Sequence, residues 1–153
     1  MFTPTAERVS RNTPEGIEQR IRRDTEASLA RTFAGGPAAI DARLKQLDLE
    51  WDTERTLETM AASFTLTGVV LGGTLDRRWL ILSGAVCGFL LQHALQGWCP
   101  PLPVIRALGV RTKEEIDGER YALKIARGDF GVALENAPIT REPSRLLAAT
   151  RLS

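Results

Sequence analysis

Two uncharged stretches occupy the middle of this 153-residue chain, at residues 59–75 and 79–105. Only Asp76, Arg77 and Arg78 separate them. A helix of about 17 residues, rising roughly 1.5 Å per residue, is close to the lower limit for crossing a hydrocarbon layer about 30 Å thick, and the second stretch exceeds that limit. The pattern therefore predicts an all-α membrane protein built around a two-helix transmembrane hairpin.

The charged residues all lie outside these two stretches. The chain has 20 Lys and Arg against 19 Asp and Glu, and they fall in the short connector or in the two flanks. Because neither flank is strongly basic, we expect no nucleic-acid partner. Two cysteines are too few for a disulfide framework.

The orientation of the hairpin is predicted from the basic residues beside it. The first 12 residues lack the apolar segment of a secretory signal, so we expect the hairpin itself to target the chain to the membrane. Two crossings place both termini on one side, and the connector carries Arg77 and Arg78. The positive-inside rule predicts cytoplasmic termini. The basic residues counted on that side are Arg43, Lys45, Arg55, Arg106, Arg111, Lys113 and Arg120.

Aromatic and basic residues at the ends of the second stretch are typical of membrane interfaces. The two tryptophans that bracket it are 19 positions apart, which is roughly 28 Å along a helix. Pro100, Pro101 and Pro103 then end the helix. The alternative is a buried hairpin in a soluble protein. The predicted interface anchors, which would contact the lipid bilayer, are Trp79, Trp98, Arg77, Arg78 and Arg106.

Small residues line one side of each predicted membrane helix. At 100° per residue, four of them fall within about 60° of one another on the first helix, and a GxxxG pair follows on the second. This favours close helix packing, in a homo-oligomer or as a subunit of a membrane complex, and leaves open whether the partner helix is internal. The predicted packing residues are Ala61, Thr65, Gly68, Gly72, Gly84 and Gly88.

A polar sector follows near the presumed cytoplasmic end, formed by Gln92, His93, Gln96 and Cys99. A single histidine without a carboxylate partner is a poor proton relay, so we interpret His93 as an interfacial hydrogen bonder. With no second histidine and no ligand-pair spacing of the cysteines, the sequence predicts no metal site, no cofactor and no catalytic residues.

The flanking segments are predicted to be helical and partly amphipathic. Apolar residues at spacings of three and four continue from about Pro37 into the first crossing, which predicts one long helix from Pro37 to Leu75. The sequence leaves open whether the N-terminal helix lies on the membrane or packs on protein. The predicted segments are 1–36, an N-terminal amphipathic helix; 37–58, a cytoplasmic helix leading into the membrane; 59–99, the hairpin, with helices at about 57–75 and 79–98; 100–130, a proline turn with interfacial helices; and 131–153, a loosely ordered tail.

The sequence Gly97-Trp98-Cys99-Pro100, followed by a Leu-Gly pair at 108–109, resembles the YgaP-like inner-membrane transmembrane domain. That bacterial family is a two-helix hairpin whose second helix typically ends in an aromatic residue and Cys-Pro. In its best-known members the hairpin anchors a rhodanese domain, a sulfurtransferase. This chain departs from them, because the prolines after Cys99 remove the backbone N–H donors that a rhodanese loop needs.

These observations predict a non-catalytic inner-membrane hairpin that self-associates, or anchors and assembles a partner protein at the cytoplasmic face. The alternative is a membrane component of sulfur handling. In that case Cys99 relays a persulfide from a separate sulfurtransferase, or Gln92, His93 and Gln96 line a path between several copies of the chain for a small sulfur anion such as thiocyanate. We favour a packing role for Cys99.

Overall fold

A computed structural model of the protein describes residues 8–129 and 143–150, apart from the side chains of residues 146, 149 and 150. Every regular element in these ranges is a helix, which confirms the all-α prediction for this part of the chain. The helices are α1 Arg8–Arg11, α2 Glu15–Ala34, α3 Gly36–Leu49, α4 Thr53–Thr74, α5 Trp79–Gln96, α6 Leu102–Ala107, α7 Lys113–Arg127 and α8 Pro143–Thr150.

The chain divides into two compact units. Among the described residues, unit 1 contains 8–18 and 51–112, and therefore α1, α4, α5 and α6. Unit 2 contains 19–50 together with 113–129 and 143–150, and therefore most of α2 and all of α3, α7 and α8. Each unit has its own buried apolar cluster.

Unit 1 is an antiparallel helical hairpin of α4 and α5. The helices approach closely at Gly68 and Gly72, both buried, where α5 presents Leu80 and Ser83. Ser83 Oγ donates to the Thr65 carbonyl oxygen at 3.0 Å. A side chain at either glycine would collide with α5, so the missing Cβ atoms permit this packing.

We call the open end of the hairpin, where α4 begins and α5 ends, the base, and a small apolar cluster closes it. It joins Val9 of α1 and Leu57 of α4 to Cys99 and to Leu102 and Ile105 of α6. The chain reaches these positions because Gly97 ends α5 in the left-handed conformation and the prolines turn the backbone into α6. The base therefore collects segments that are far apart in sequence.

The prediction of one helix from Pro37 to Leu75 is wrong. Helix α3 ends at Leu49, Glu50 is extended, and α4 starts only at Thr53. Asp52 caps α4, because its side chain accepts a hydrogen bond from the Arg55 backbone N–H at 2.7 Å. An aspartate followed by Thr-Glu-Arg is a recognisable helix start, which the continuous apolar rhythm concealed.

Unit 2 is held by apolar residues from four helices. Leu29 of α2 is buried against α3, α7 and α8, so this part of the α2 apolar face packs on protein. Of the tail predicted to be loosely ordered, α8 forms a helix and buries Leu147, while residues 131–142 and 151–153 lie outside the described residues. The cluster comprises Leu29, Ile40, Leu44, Leu47, Ile116, Ala122, Leu123 and Leu147.

Within the described residues, only α5 is long and apolar enough to cross a membrane, a criterion that some soluble core helices also meet. Helix α4 carries Glu54, Arg55 and Glu58 in its first turns and several threonines further along, which lower its overall apolarity. The structure therefore establishes a helical hairpin with one candidate span, which is less than the predicted two-helix transmembrane hairpin.

Candidate functional site

The base of the hairpin contains a carboxylate paired with an imidazole. His93 Nε2 lies 3.1 Å from Glu54 Oε2, and the His93 side chain is only 2% exposed. His93 was expected to have no carboxylate partner, and the structure corrects this, because Glu54 is that partner. The two residues are 39 positions apart, and antiparallel packing brings the start of α4 beside the end of α5.

Arg8 of α1 completes the cluster. Its Nη2 donates to Glu54 Oε1 at 3.1 Å, and its Nη1 donates to the Ala94 carbonyl oxygen at 3.0 Å. A few residues on, Asn12 Nδ2 donates to the Gln96 carbonyl oxygen at 3.1 Å. The last carbonyls of a helix have no intrahelical partner and carry partial negative charge, so a cation here is well placed. Segment 8–12 therefore caps α5 from outside the hairpin.

The electrostatics of the cluster favour an ionised Glu54. The hydrogen bond from His93 lowers the pKa of the Glu54 carboxyl, and the Arg8 guanidinium adds to this, while burial opposes it. An ionised carboxylate only accepts hydrogen bonds, so Nε2 of His93 is the donor.

Gly97 allows α1 to approach the end of α5. Its φ is +74°, and its N–H donates to the His93 carbonyl oxygen at 2.7 Å. A Cβ atom at this position would lie 2.6 Å from Arg8 Cβ and 2.7 Å from the Arg8 carbonyl oxygen. Glycine is therefore favoured here both by the backbone conformation and by the contact with Arg8.

Two buried nitrogen atoms in this cluster have no hydrogen-bond partner among the described residues. They are Arg8 Nε and His93 Nδ1. Both belong to residues that contact Glu54, one on each oxygen of its carboxylate. Burying a polar atom without a partner costs free energy, so the cluster is only partly satisfied.

The four residues of the predicted polar sector do not share one environment. His93 and Cys99 are buried, and Cys99 is 1% exposed within the apolar cluster of the base. Gln92 is half-buried and Gln96 is exposed. The predicted path along Gln92, His93 and Gln96 is thus divided between the interior and the surface of unit 1.

The predicted packing residues separate into two groups. Three of those on α4 contact α5, where Thr65 Oγ1 also lies 3.8 Å from Cys87 Sγ. Gly84 and Gly88 are exposed on α5, and a Cβ atom at either would meet nothing within 4 Å. The internal partner of the α4 stripe is therefore α5 itself, through Leu80 and Ser83. Of the predicted α4 residues, Thr65, Gly68 and Gly72 contact α5, and Ala61 is buried.

One predicted interface anchor is misplaced. Arg106 is 0% exposed, donating from Nε to Thr13 Oγ1 at 3.1 Å and from Nη1 to the Val110 carbonyl oxygen at 2.9 Å, so it cannot meet lipid headgroups in this conformation. It instead ties α6 to the segment after α1. The other predicted anchors, Trp79, Trp98, Arg77 and Arg78, are exposed.

The sequence analysis missed an exposed pair at the start of α4. The Arg55 guanidinium lies over the Trp51 ring, 4.4 Å from the ring centre. Tryptophan and arginine four positions apart beside an uncharged stretch is a pattern that could have indicated it. Both residues belong to the base end of the hairpin.

The described residues contain no group of three or more His, Cys, Asp or Glu side chains close enough to hold a metal ion. Comparisons of the whole chain with protein-family models, with curated proteins and with solved structures found no match. The resemblance to the YgaP-like family therefore stays a prediction. The base can hold a proton or donate hydrogen bonds, and its thiol is covered.

Proposed function

We propose that the chain is a non-catalytic hairpin protein of the inner membrane that self-associates and assembles a partner protein at the cytoplasmic face. The observation that carries this proposal is the exposure of α5. Only 11% of this apolar helix is buried, whereas the core helix of a soluble protein is mostly covered. Lipid or other helices would cover it.

Helix α4 supports the same proposal with its outward side. Phe64, Leu66, Val69 and Val70 are all exposed, next to the exposed apolar residues of α5. Large contiguous apolar surfaces on a protein mark contacts with membranes or with other proteins. The hydroxyl side chains of α4 are compatible with a membrane, because Ser63, Thr67 and Thr74 each donate a hydrogen bond to the carbonyl oxygen four residues earlier.

The exposed side of α5 is the surface through which self-association is proposed to occur. Gly84 and Gly88 leave open space beside the helix backbone, which would allow a second helix to approach closely. Gly68 and Gly72 are already occupied by the internal contact with α5. A second copy of the chain would therefore meet α5 and leave the hairpin intact.

Impermeant thiol labelling in bacterial spheroplasts tests the two-pass topology. In a background with Cys87→Ser and Cys99→Ser, we expect Arg77→Cys in the connector to react with an impermeant maleimide, because it faces outward. A cysteine in place of Arg23, on α2, would react only after permeabilisation. Equal labelling of both positions in intact spheroplasts, or extraction of the protein by alkaline carbonate, would contradict membrane insertion.

A matched pair of glycine variants tests self-association. Gly84→Leu should lower chemical crosslinking between copies, because it fills the open side of α5. Gly68→Leu should disturb the hairpin, since its Cβ would lie 3.0 Å from the Trp79 carbonyl oxygen. Disulfide formation between Thr65→Cys and Cys87 in a Cys99→Ser background reports on hairpin integrity. If Gly84→Leu crosslinks as well as the parent protein, the exposed side of α5 is not the self-association surface.

A further inference from the structure

The N-terminal segment of unit 1 lies across the base of the hairpin. We call residues 8–13 the strap. It is attached through Arg8 to Glu54 and to the Ala94 carbonyl oxygen, and through Asn12 to the Gln96 carbonyl oxygen. Val9 adds one buried apolar side chain, and Thr13 accepts a hydrogen bond from Arg106. Arg8 and Asn12 thus tie the strap directly to the last turn of α5.

The groups that the strap covers are chemically active ones. Beneath it lie the Glu54 carboxylate, the His93 imidazole and the apolar cluster that contains Cys99. His93 and Cys99 are nearly inaccessible in this closed arrangement, at 2% and 1% exposed. Removing the strap would withdraw Val9 from the cluster that covers the thiol.

The contact between strap and hairpin is also where hydrogen bonding is incomplete. Arg8 Nε on the strap and His93 Nδ1 beneath it are the buried side-chain nitrogens without a partner in the described residues. Arg8 Nε would gain a hydrogen bond to water if the strap lifted, which offsets part of the free energy needed to break the hydrogen bonds of Arg8, Asn12 and Thr13. Local opening starts where buried contacts are few and polar groups are poorly satisfied.

We propose that residues 8–13 are a strap that opens locally, exposing the Glu54–His93 pair and Cys99 while α4 and α5 stay packed. The closed form shields a carboxylate, an imidazole and a thiol from solvent. The open form presents them at the base of the hairpin. This inference does not depend on membrane insertion or self-association, because every contact it uses lies inside unit 1.

Thiol reactivity of the full-length chain tests the strap. In detergent micelles, with Cys87→Ser leaving Cys99 as the remaining thiol, the reaction with N-ethylmaleimide is followed by mass spectrometry. We expect Cys99 to react at least about tenfold more slowly than in the same protein unfolded in urea. Arg8→Ala removes both Arg8 contacts and should raise the rate about tenfold, and Asn12→Ala should raise it less.

The matched control is Arg77→Ala, which removes an exposed arginine at the opposite end of the hairpin and should leave the rate unchanged. Hydrogen exchange distinguishes opening from unfolding: in Arg8→Ala, residues 8–13 and 93–97 should lose protection while the middles of α4 and α5 keep theirs. Three outcomes would each overturn the strap: Arg8→Ala matching Arg77→Ala, Cys99 of the parent reacting at the unfolded rate, or protection falling equally throughout the hairpin.

Discussion

The Glu119–Arg43 pair of unit 2 and the Glu54–Arg8 pair of unit 1 differ in how completely their polar atoms are hydrogen-bonded. In unit 2, Glu119 is 0% exposed, and its carboxylate accepts two hydrogen bonds from the Arg43 guanidinium, from Nε at 2.9 Å and from Nη2 at 3.0 Å. It accepts a third from Ser28 Oγ at 2.9 Å. In unit 1, Glu54 is 35% exposed and receives one contact from Arg8 and one from His93.

This difference makes Glu119–Arg43 a structural ion pair, whereas Glu54–Arg8 is suited to the opening of the strap. A two-pronged arginine contact fixes geometry and supplies two charge-assisted hydrogen bonds, whereas each partner of Glu54 makes one. Within the described part of the chain, the buried nitrogens without partners belong to Arg8 and His93, and none belongs to Arg43. A buried polar network is rigid when it is complete and becomes a weak point when it is not.

The largest effect is expected from Glu119→Ala. Removing Glu119 leaves the half-buried Arg43 with weaker contacts, to Glu50 at 3.8 Å and to Gln46 at 3.3 Å, so the free energy of unfolding of unit 2 should fall by about 3 kcal/mol. Hydrogen exchange of the α3 and α7 amides measures it. Glu114→Ala, exposed on the same helix, is the control. If both variants lose the same stability, Glu119 is not the structural member of this comparison.

Gly97→Ala should weaken the base by about 1–2 kcal/mol, because alanine is strained at positive φ and its Cβ would collide with Arg8. Gly109→Ala is the matched control, because Gly109 also has a positive φ, +87°, but a Cβ atom there would meet nothing within 4 Å. We expect Gly97→Ala alone to increase the labelling of Cys99 by N-ethylmaleimide. Equal labelling of the two variants would show that the contact with Arg8 is unimportant.

Acidification should release the strap. Because the pKa of Glu54 is lowered in the closed form, the ionised carboxylate stabilises the closed strap fully at pH values above the ordinary carboxyl range. This stabilisation is lost as the pH falls through the lowered pKa. The charged and titratable groups around Glu54 are Arg8, His93 and the Cys99 thiol. Hydrogen exchange of residues 8–13 should therefore accelerate below about pH 4, beyond its intrinsic pH dependence.

Glu54→Gln is the control for this pH response. At neutral pH it should already loosen the strap, by about 1 kcal/mol because Glu54 is partly solvated, and it should remove the acid-dependent acceleration. If the strap of Glu54→Gln opens with the same pH dependence as the parent, another group controls it.

The smallest effect is expected at the surface of unit 2. Arg127 Nη1 donates to Asp41 Oδ1 at 2.6 Å, and both side chains are solvated. Exposed ion pairs are screened by solvent and salt, so Asp41→Asn should leave hydrogen exchange of α3 and α7 unchanged. Destabilisation approaching that of Glu119→Ala would mean that burial does not distinguish these pairs.

Much of the helical layout was readable from the sequence, because its signals are local. The second hairpin helix is predicted at about 79–98, ending before the prolines, and α5 spans Trp79–Gln96, two residues fewer. The segment 100–130, predicted to form a proline turn with helices, contains α6 and α7. The break before Asp52 was also signalled locally, yet a continuing apolar rhythm outweighed it.

The base could not be derived in the same way. Arg8, Glu54 and His93 are separated by tens of positions, so no window of sequence contains them together. Arg106 illustrates the point: its position beside an uncharged stretch suggested a lipid contact, but α6 turns it into the interior, where Thr13 and Val110 accept its hydrogen bonds. Composition and spacing cannot distinguish these outcomes.

The sequence by itself determined that the described part of the chain is helical and that two adjacent helices with a short charged connector lie at its centre, since periodicity, caps and charge act over a few residues. Only the tertiary structure decided which glycines face inward, which cysteine is covered and which carboxylate meets His93. Those depend on the rotation of each helix about its axis and on the turn after Gly97, and both are set by packing between distant segments.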